Sequence, residues 1–373
     1  VTLPTTLPKD SGTHFIDQNA FRAPAYPFEP IFAALDLMKP DFDFGGVDLV
    51  TNRNSLRKLL DFASGRVSES FRIDINLVHG TLFLTRREQS TRDRIHGSRN
   101  AGYGHNFEKA FTRAEKGLEE SSGHHRVVRY QMGELECVVR FEVDAWCGSE
   151  GDGCDVLQQH GRADKQSGNF SGTEDVLEGL TKLSLSEDPT PKTSAQKAEE
   201  AKGQETDDII AKLKQLSVNE SKEGMKPAQY KRTYVIPRGR LVPCSTLAEI
   251  KAKKRKPWLA DALPQLWFGR TPLLFYATHY EGRFTEEVTR INAGEKFEEW
   301  EMQQQEVLRK MVRLIGQLRG VAREAKGGTC VAVCESKIRP LKVEMFESTA
   351  RTSVLPEELV GRYWREGRIP SGP

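Results

Sequence analysis

Between Gly148 and about Tyr230 the chain has almost nothing from which to build a core. The run "GSEGDGCDVLQQHGRADKQSGNFSGTEDVLEGLTKLSLSEDPTPKTSAQKAEEAKGQETDD" is dominated by Ser, Gly, Glu and Lys and is poor in aromatics. Such a stretch cannot bury enough apolar surface to offset the entropy of ordering it. Residues 148–229 are therefore expected to be a disordered insertion. Within it "DDIIAKLKQL" reads as a short helix or docking segment, and a packed second domain is the alternative. The rest must then fold as one unit from two separate stretches, 28–147 and 230–366. Residues 1–27, rich in Pro, Thr and Gly, and 367–373 read as flexible ends.

Periodicity divides the two stretches into elements. "FRIDINL" and "TLFLTRRE" alternate around Val78-His79-Gly80, which predicts a β-hairpin. "NSLRKLLDFASG" predicts a helix with Asn54 as its cap and Gly65 as its stop; Leu56, Leu59, Leu60 and Ala63 line one face. "GHNFEKAFTRAEKG" also has helical spacing, and "ECVVRFEVDAWC" reads as a strand. After the polar run come the strand "LAEIKAK", the helix "LADALPQLWFG" and the strand "TPLLFYATHY". "EKFEEWEMQQQEVLRKMVRLIGQLRG" predicts one long amphipathic helix with Trp300, Val307, Leu308, Met311, Leu314, Ile315 and Leu318 as its core stripe. "GTCVAVCESKIRPLKVEMFES" supplies one or two closing strands. Without a strict β-α alternation, this points to α+β: a mixed β-sheet core flanked by helices.

Composition excludes several functions. Net charge is +2 over 373 residues, so any basic footprint must be local. No apolar run approaches membrane-spanning length, and no charged-then-apolar secretory leader is seen near Val1, before which further residues are expected. The six cysteines form no C-x-x-C pair, which favours reduced thiols over a zinc site. No G-x-x-x-x-G-K-[ST] loop and no D-D-x-x-D box is present.

The chemistry sits in two tripeptides. In "RFEVDAWC", Glu142 and Asp144 are two apart, so on a strand they share a face. Two carboxylates projecting together from an apolar strand are costly unless a cation lies between them. In "LAEIKAK", Glu249 and Lys251 repeat the arrangement around Ile250. If the strands are neighbours, three carboxylates and an ammonium converge, a set suited to Mg²⁺ or Mn²⁺. Such ions can lower the pKa of a bound water and steady a leaving oxygen. An E-x-D strand followed by an E-x-K strand is the layout of the restriction-endonuclease-like nuclease core. Glu335-Ser336-Lys337, in another strand-like run, has the same spacing, and spacing alone does not choose between the two.

The order of segments resembles the DXO family of RNA 5′-end decapping nucleases. "NRNSLRKLL" followed by the hairpin is similar to that family's arginine motif, with Arg53 on the arginine; "GHNFE" resembles its Gly-aromatic-x-aromatic-Glu motif, with Glu108 on a metal-ligand position. "FEVDAWC" and "LAEIKAK" match its E-x-D and E-x-K motifs, and Gln265 falls where the family has a glutamine near the metals. By this ordering Glu335 and Lys337 lie away from the site. The resemblance implies Glu108, Glu142, Asp144 and Glu249 as ligands of two Mg²⁺ or Mn²⁺ ions. It further implies Lys251 and Gln265 as positioners of the attacking water, and Arg53 as a holder of RNA 5′ phosphates. The implied activities are pyrophosphate removal from triphosphate ends, removal of incomplete or NAD caps, and 5′-3′ exonuclease action, in the nucleus or cytoplasm, with a 5′-3′ exoribonuclease as a possible partner. His105 and Ala252 depart from the family's usual residues. A non-catalytic RNA 5′-end-binding scaffold and a DNA nuclease on the same core are the rival readings.

Lys253, Lys254, Arg255 and Lys256 form a basic run after the E-x-K strand, read as an RNA-steering rim, a nuclear-localisation patch or a solvated turn. Trp258 and Trp267 are candidates for base stacking, with burial the stronger reading for Trp267. His124 and His125 read as part of a solvated turn.

Overall fold

The computed structural model describes residues 1–97, 101–147, 235–236, 239, 241–256, 259–349 and 353–364. The expectations for the 148–229 insertion, its docking segment, Trp258 and the 367–373 tail lie outside the described residues. In chain order the first elements are β1 (Thr5–Thr6), β2 (Ser11–Phe15), α1 (Gln18–Arg22), α2 (Glu29–Met38), β3 (Leu49–Asn52) and α3 (Arg53–Ala63). Next come β4 (Phe71–Val78), β5 (Thr81–Arg87), β6 (Arg92–His96), α4 (Gly104–Phe111), β7 (His124–Met132), β8 (Leu135–Val143) and β9 (Ala145–Trp146). The remainder is β10 (Leu247–Lys253), α5 (Leu259–Phe268), β11 (Leu273–Thr278), β12 (Arg283–Phe284), β13 (Thr289–Asn292), α6 (Phe297–Gln303), α7 (Gln305–Glu324), β14 (Thr329–Cys334), β15 (Val343–Glu347) and α8 (Glu357–Tyr363). The fold is α+β, with a mixed seven-stranded sheet in the order β15-β14-β4-β5-β3-β8-β7.

Strand alternation explains why both faces of this sheet are covered. Leu49, Leu82, Leu84, Cys137 and Val139 point to one side and are buried with Leu56, Leu59 and Leu60 of α3, Leu266 of α5, and Met311 and Ile315 of α7. Their neighbours Val50, Phe83 and Val138 point the other way, to Ile31 and Phe32 of α2 and Tyr363 of α8. The β4–β5 hairpin forms as its alternation predicts: Val78 pairs with Thr81, and the two turn residues His79 and Gly80 have φ of 45° and 87°. Positive φ at both central residues is what a type I′ turn needs to match strand twist.

β3 runs parallel to both β5 and β8. The carboxyl ends of these strands, together with the start of α3, face the region where ligands gather in such sheets. A second, four-stranded sheet, β13-β11-β10-β9, is joined to the first because the chain leaves β8 at Val143 and re-pairs through β9 with β10.

Several local expectations are corrected. α3 starts one turn edge earlier than its apolar pattern suggests: Asn52, not Asn54, is the capping residue, and it makes no side-chain cap bond. Gly65, with φ of 71°, follows the helix end as expected. The long C-terminal helix is two helices, because Gln304 (φ −100°, ψ 6°) interrupts it. His124 and His125 lie on β7 rather than in a turn, since the alternation of the Val-rich segment extends back to them. β14 ends at Cys334, so Glu335 and Lys337 are not on a strand. Residues 1–27 carry β1, β2 and α1; β2 pairs with β6 and β1 with β12. Among the described residues no helix is long and apolar enough to cross a membrane.

Candidate active site

The break between β8 and β9 falls on Asp144. Because β9 pairs antiparallel with the start of β10, Ala145 opposite Ala248 and Trp146 opposite Leu247, Asp144 is delivered to the Glu249–Ile250 step. Its Oδ2 accepts the Ile250 N–H at 2.8 Å. The two tripeptides, about a hundred positions apart, therefore meet. Glu249 is 3% exposed and is held on both oxygens. Lys251 Nζ donates to Oε1 at 2.6 Å, Arg53 Nη1 donates to Oε2 at 3.3 Å, and Gln265 Nε2 also donates to Oε1. Gln265, on α5, is in turn oriented by Arg57, whose Nη1 donates to its Oε1 at 3.4 Å.

α4 brings the fourth carboxylate. Phe107 anchors this helix in a small core with Phe284 and Ala277, against Ile250 and Ala252 of β10. The neighbouring Glu108 is held in the field of Glu142, Glu249 and Lys251. α4 has no side-chain cap of its own; Asp10, from the N-terminal segment, accepts the Asn106 N–H at 2.9 Å instead. His105, which departs from the motif, stacks on His14 with ring centroids 3.8 Å apart, so β2 and the helix carrying Glu108 are clamped together.

The electrostatics follow from crowding four acids in partial burial. Burial, then Glu142 and Glu249, push the Glu108 carboxyl up to about 7, with Lys251 opposing. Burial and Glu249 raise Asp144 well above the usual carboxylate range. Glu142, at the open side, is raised by burial of its surroundings, with Arg53 opposing. Burial works to raise Glu249 as well, but Lys251 and Arg53 together outweigh it and hold this carboxyl low. Raised acids of this kind are missing positive charge.

Carboxylate oxygens are hard donors and fit a hard divalent cation in kind and charge. Their present grouping is looser than a ligand shell: among the described residues no three His, Cys, Asp or Glu side chains stand close enough to hold a metal ion. Lys251, Arg53 and Gln265 bond the oxygens of Glu249, and the Ile250 N–H bonds Asp144.

The remaining expected residues are placed as follows. Arg53 is 7% exposed, with its guanidinium 5.5 Å from the Phe141 ring centroid. Lys253 and Lys254 are exposed at the end of β10. Trp267 is buried and its Nε1 donates to Glu301 at 3.3 Å, which accounts for it without stacking. Glu335 is 6% exposed and accepts from Ser70 Oγ at 3.1 Å. It follows β14, which three strands separate from β8.

Sequence reasoning missed His125, Arg140 and Gly123. His125 stands directly across from Glu142 in the β7–β8 register. Gly123 is required by close approach, since a Cβ there would lie 2.9 Å from Glu142 Oε1. The alternation "HHRVVRYQM" was the available signal for His125; nothing local marks the other two.

A family model described as a domain of unknown function, DUF8563, matches residues 1–168 and 192–364. The chain belongs to the DUF8563 family. No curated protein matches the sequence. The structure of this DUF8563 protein is similar to solved structures of Rai1 and Dxo1, the likeness that the motif order implied. S. pombe Rai1 matches with a TM-score of 0.45 and 9% identity over 89% of this chain and 83% of that one. Candida albicans Rai1, solved in complex with pU5-Mn²⁺, matches with 0.47 and 8% over 90% and 80%. K. lactis Dxo1, solved in complex with manganese, matches with 0.43 and 8% over 88% and 72%.

Proposed function

We propose that this DUF8563 protein is a metal-dependent hydrolase of RNA 5′ ends, acting on phosphoanhydride or phosphodiester bonds at abnormal ends such as triphosphates and NAD caps. The observation that carries the reading is the meeting of Glu108, Glu142, Asp144 and Glu249 around Lys251, from elements that only the tertiary fold brings together. Three acids raised by burial and by the charge of Glu249 are costly to assemble, and a phosphate-processing cation site gives that cost a use. The catalytic unit is one domain built from residues 28–147 and 230–366.

In this reading Glu108, Glu142, Asp144 and Glu249 would hold Mg²⁺ or Mn²⁺, which would supply Lewis acidity at the phosphorus. Lys251 and Gln265, both donating to Glu249, would orient the nucleophile beside the cation. Arg53 offsets negative charge beside Glu249, and its remaining donors suit a phosphate oxygen. Lys253 and Lys254 lie at the exposed rim and attract the RNA backbone.

The test is incubation of the full chain with 5′-triphosphate, NAD-capped and 5′-monophosphate RNAs and matched DNAs, with Mn²⁺. Release of 5′-end products from RNA, abolished in Asp144→Ala, supports the enzyme; cleavage of DNA in preference to RNA supports the DNA nuclease. One observation favours a second reading: Lys251 and Arg53 already pair with Glu249, so its charge is balanced within the protein. A scaffold that binds RNA ends without cutting would retain RNA in every condition and release no product.

A further inference from the structure

β2 and β6 form a two-stranded ribbon outside both larger sheets. Its register sets Ser11 opposite His96, Thr13 opposite Arg94 and Phe15 opposite Arg92. Opposed residues of an antiparallel pair point to the same side, and the side changes at each residue. One face of the ribbon therefore carries these six side chains, and the other carries His14, Asp93 and Ile95.

The two faces have different surroundings. The inner face meets α4, where His14 stacks on His105. The outer face is open: Ser11, Thr13, Arg92, Arg94 and His96 are all exposed.

Charge on the outer face is unbalanced. Among the described residues neither Arg92 nor Arg94 has an ion pair or a side-chain hydrogen bond. Asp93, between them in the chain, points to the inner face opposite His14. Asp17, just beyond β2, is engaged as the cap of α1, accepting from the Ala20 N–H at 2.9 Å. Arg22 of α1 extends the positive surface: its guanidinium lies 5.8 Å from the Phe15 ring centroid and donates to Ser122 Oγ at 2.7 Å, not to an acid. In a chain of net charge +2, three guanidiniums without a carboxylate are a local footprint for a polyanion.

Aromatic rings lie among these cations. The Arg92 guanidinium is 4.3 Å from the Phe21 ring centroid, Phe21 and Phe15 are 5.3 Å apart, and Phe21 is 39% exposed. Surfaces that hold single-stranded nucleic acid combine positive charge along the backbone with rings on which bases stack. An acidic peptide would use the arginines but has no flat group for Phe21. Arg92 and Arg94 are roughly 7 Å apart along the strand, a step that suits successive phosphates of an extended chain.

The ribbon also adjoins the carboxylates. β2 passes directly into Ile16–Asn19, which line a cavity with Arg53 and Glu142, and α4, held by the inner face, carries Glu108.

We propose that the outer face of the β2–β6 ribbon, with Phe21 and Arg22, docks the body of a single-stranded RNA, away from its 5′ end. Arg92, Arg94 and Arg22 take backbone phosphates and Phe21 stacks on a base. Docking itself does not depend on hydrolysis; only the statement that the docked RNA is the substrate of the carboxylate site rests on the hydrolase reading. In that reading the ribbon sets a preference for longer RNAs through KM.

The experiment is fluorescence anisotropy of the full chain, free of metal, with 3′-labelled single-stranded RNAs of about 4 and about 20 nucleotides at several salt concentrations. The longer RNA is expected to bind more tightly. Arg92→Gln with Arg94→Gln is expected to weaken it about tenfold and to lower the salt slope by about 1.4, from about 0.7 per phosphate contact, leaving the short RNA unchanged. Phe21→Ala is expected to weaken the longer RNA about tenfold with the slope unaltered. Arg313→Gln with Arg323→Gln removes the same charge from the exposed side of α7 and is expected to change neither. Arg94 is exposed and bonds no side chain, so Arg94→Gln alone serves where another variant fails to fold. Equal affinity for the two lengths, or a slope that Arg92→Gln with Arg94→Gln leaves unaltered, overturns the docking surface. Tighter binding of a polyglutamate peptide than of RNA, lost in the same double variant, gives the face to an acidic protein and overturns it too. The expected responses with no product from any RNA leave the docking surface standing and remove the hydrolase. Hydrolysis of long triphosphate RNA with unchanged KM in the double variant removes the docking surface and leaves the hydrolase.

Discussion

Glu249 and Glu335 begin two tripeptides of the same form, Glu-x-Lys, and both glutamates are almost wholly buried, at 3% and 6% exposed. Their surroundings differ in kind. Glu249 lies inside β10, so Lys251 shares its face and bonds it at 2.6 Å, with Arg53 and Gln265 completing the set. Glu335 follows the last residue of β14, where alternation has ended, and Lys337 is exposed. Ser70 bonds one of its oxygens, and the other has no hydrogen-bond partner among the described residues. Two residues of spacing put a lysine on a glutamate only while the chain remains a strand. Burial alone does not make a site; the first glutamate is buried among other acids and bases, the second beside hydroxyls.

The sharpest way to break this comparison is to neutralise each carboxylate in turn. Asp144→Asn and Glu249→Gln are expected to lower turnover of triphosphate RNA by at least about a thousandfold, in line with loss of a metal-holding or charge-stabilising group. Glu335→Gln leaves turnover unchanged. Equal losses in both would show that the two corners are not distinct. The lysines come next: Lys251→Met is expected to reduce kcat about a hundredfold, and Lys337→Met not at all. Single-turnover rates at saturating Mn²⁺ decide this.

Smaller effects concern stability. Ser70→Ala removes the hydroxyl that bonds Glu335 and is expected to cost about 1–2 kcal/mol in urea unfolding, with unaltered turnover. The site's own acids carry a pH signature of opposite origin. Glu108 is raised from 4.5 to about 7, so the folded chain binds its proton more tightly than the unfolded chain does. Its contribution to stability is full below pH 4.5 and is lost as pH rises through about 7. The loss is on the order of 1–2 kcal/mol, less than the full shift implies, because Glu108 is partly exposed. Glu108→Gln is expected to flatten this part of the stability curve, and Mn²⁺ to offset it. A metal-free protein whose unfolding midpoint does not change from acid to neutral pH would remove the crowding that the site depends on.

Much of the local structure was legible. The β4–β5 hairpin, the apolar faces of α3 and α7 and the burial of Trp267 follow from alternation, helical spacing and turn residues, which act between neighbours in the chain. The break at Gln304 was not legible, because the apolar stripe continues through it and nothing in the side chains forbids a helix there. The same holds for Asp10 and His14, which clamp α4 from more than ninety positions away. Arg140 reads as one more charged residue on a strand, and only its burial beside an uncapped helix gives it a distinct character.

The sequence by itself determined which side chains share a face: Glu142 with Arg140, Glu249 with Lys251, the leucines of α3 with one another. These are consequences of backbone period, and period is a property of a few consecutive residues. The tertiary structure decided which faces meet. It turned the chain at Asp144 into a second sheet, set Glu249 against it, and left Glu335 three strands from β8. A carboxyl group's charge depends on what surrounds it within a few ångströms, and those surroundings come from elements whose proximity no local pattern encodes.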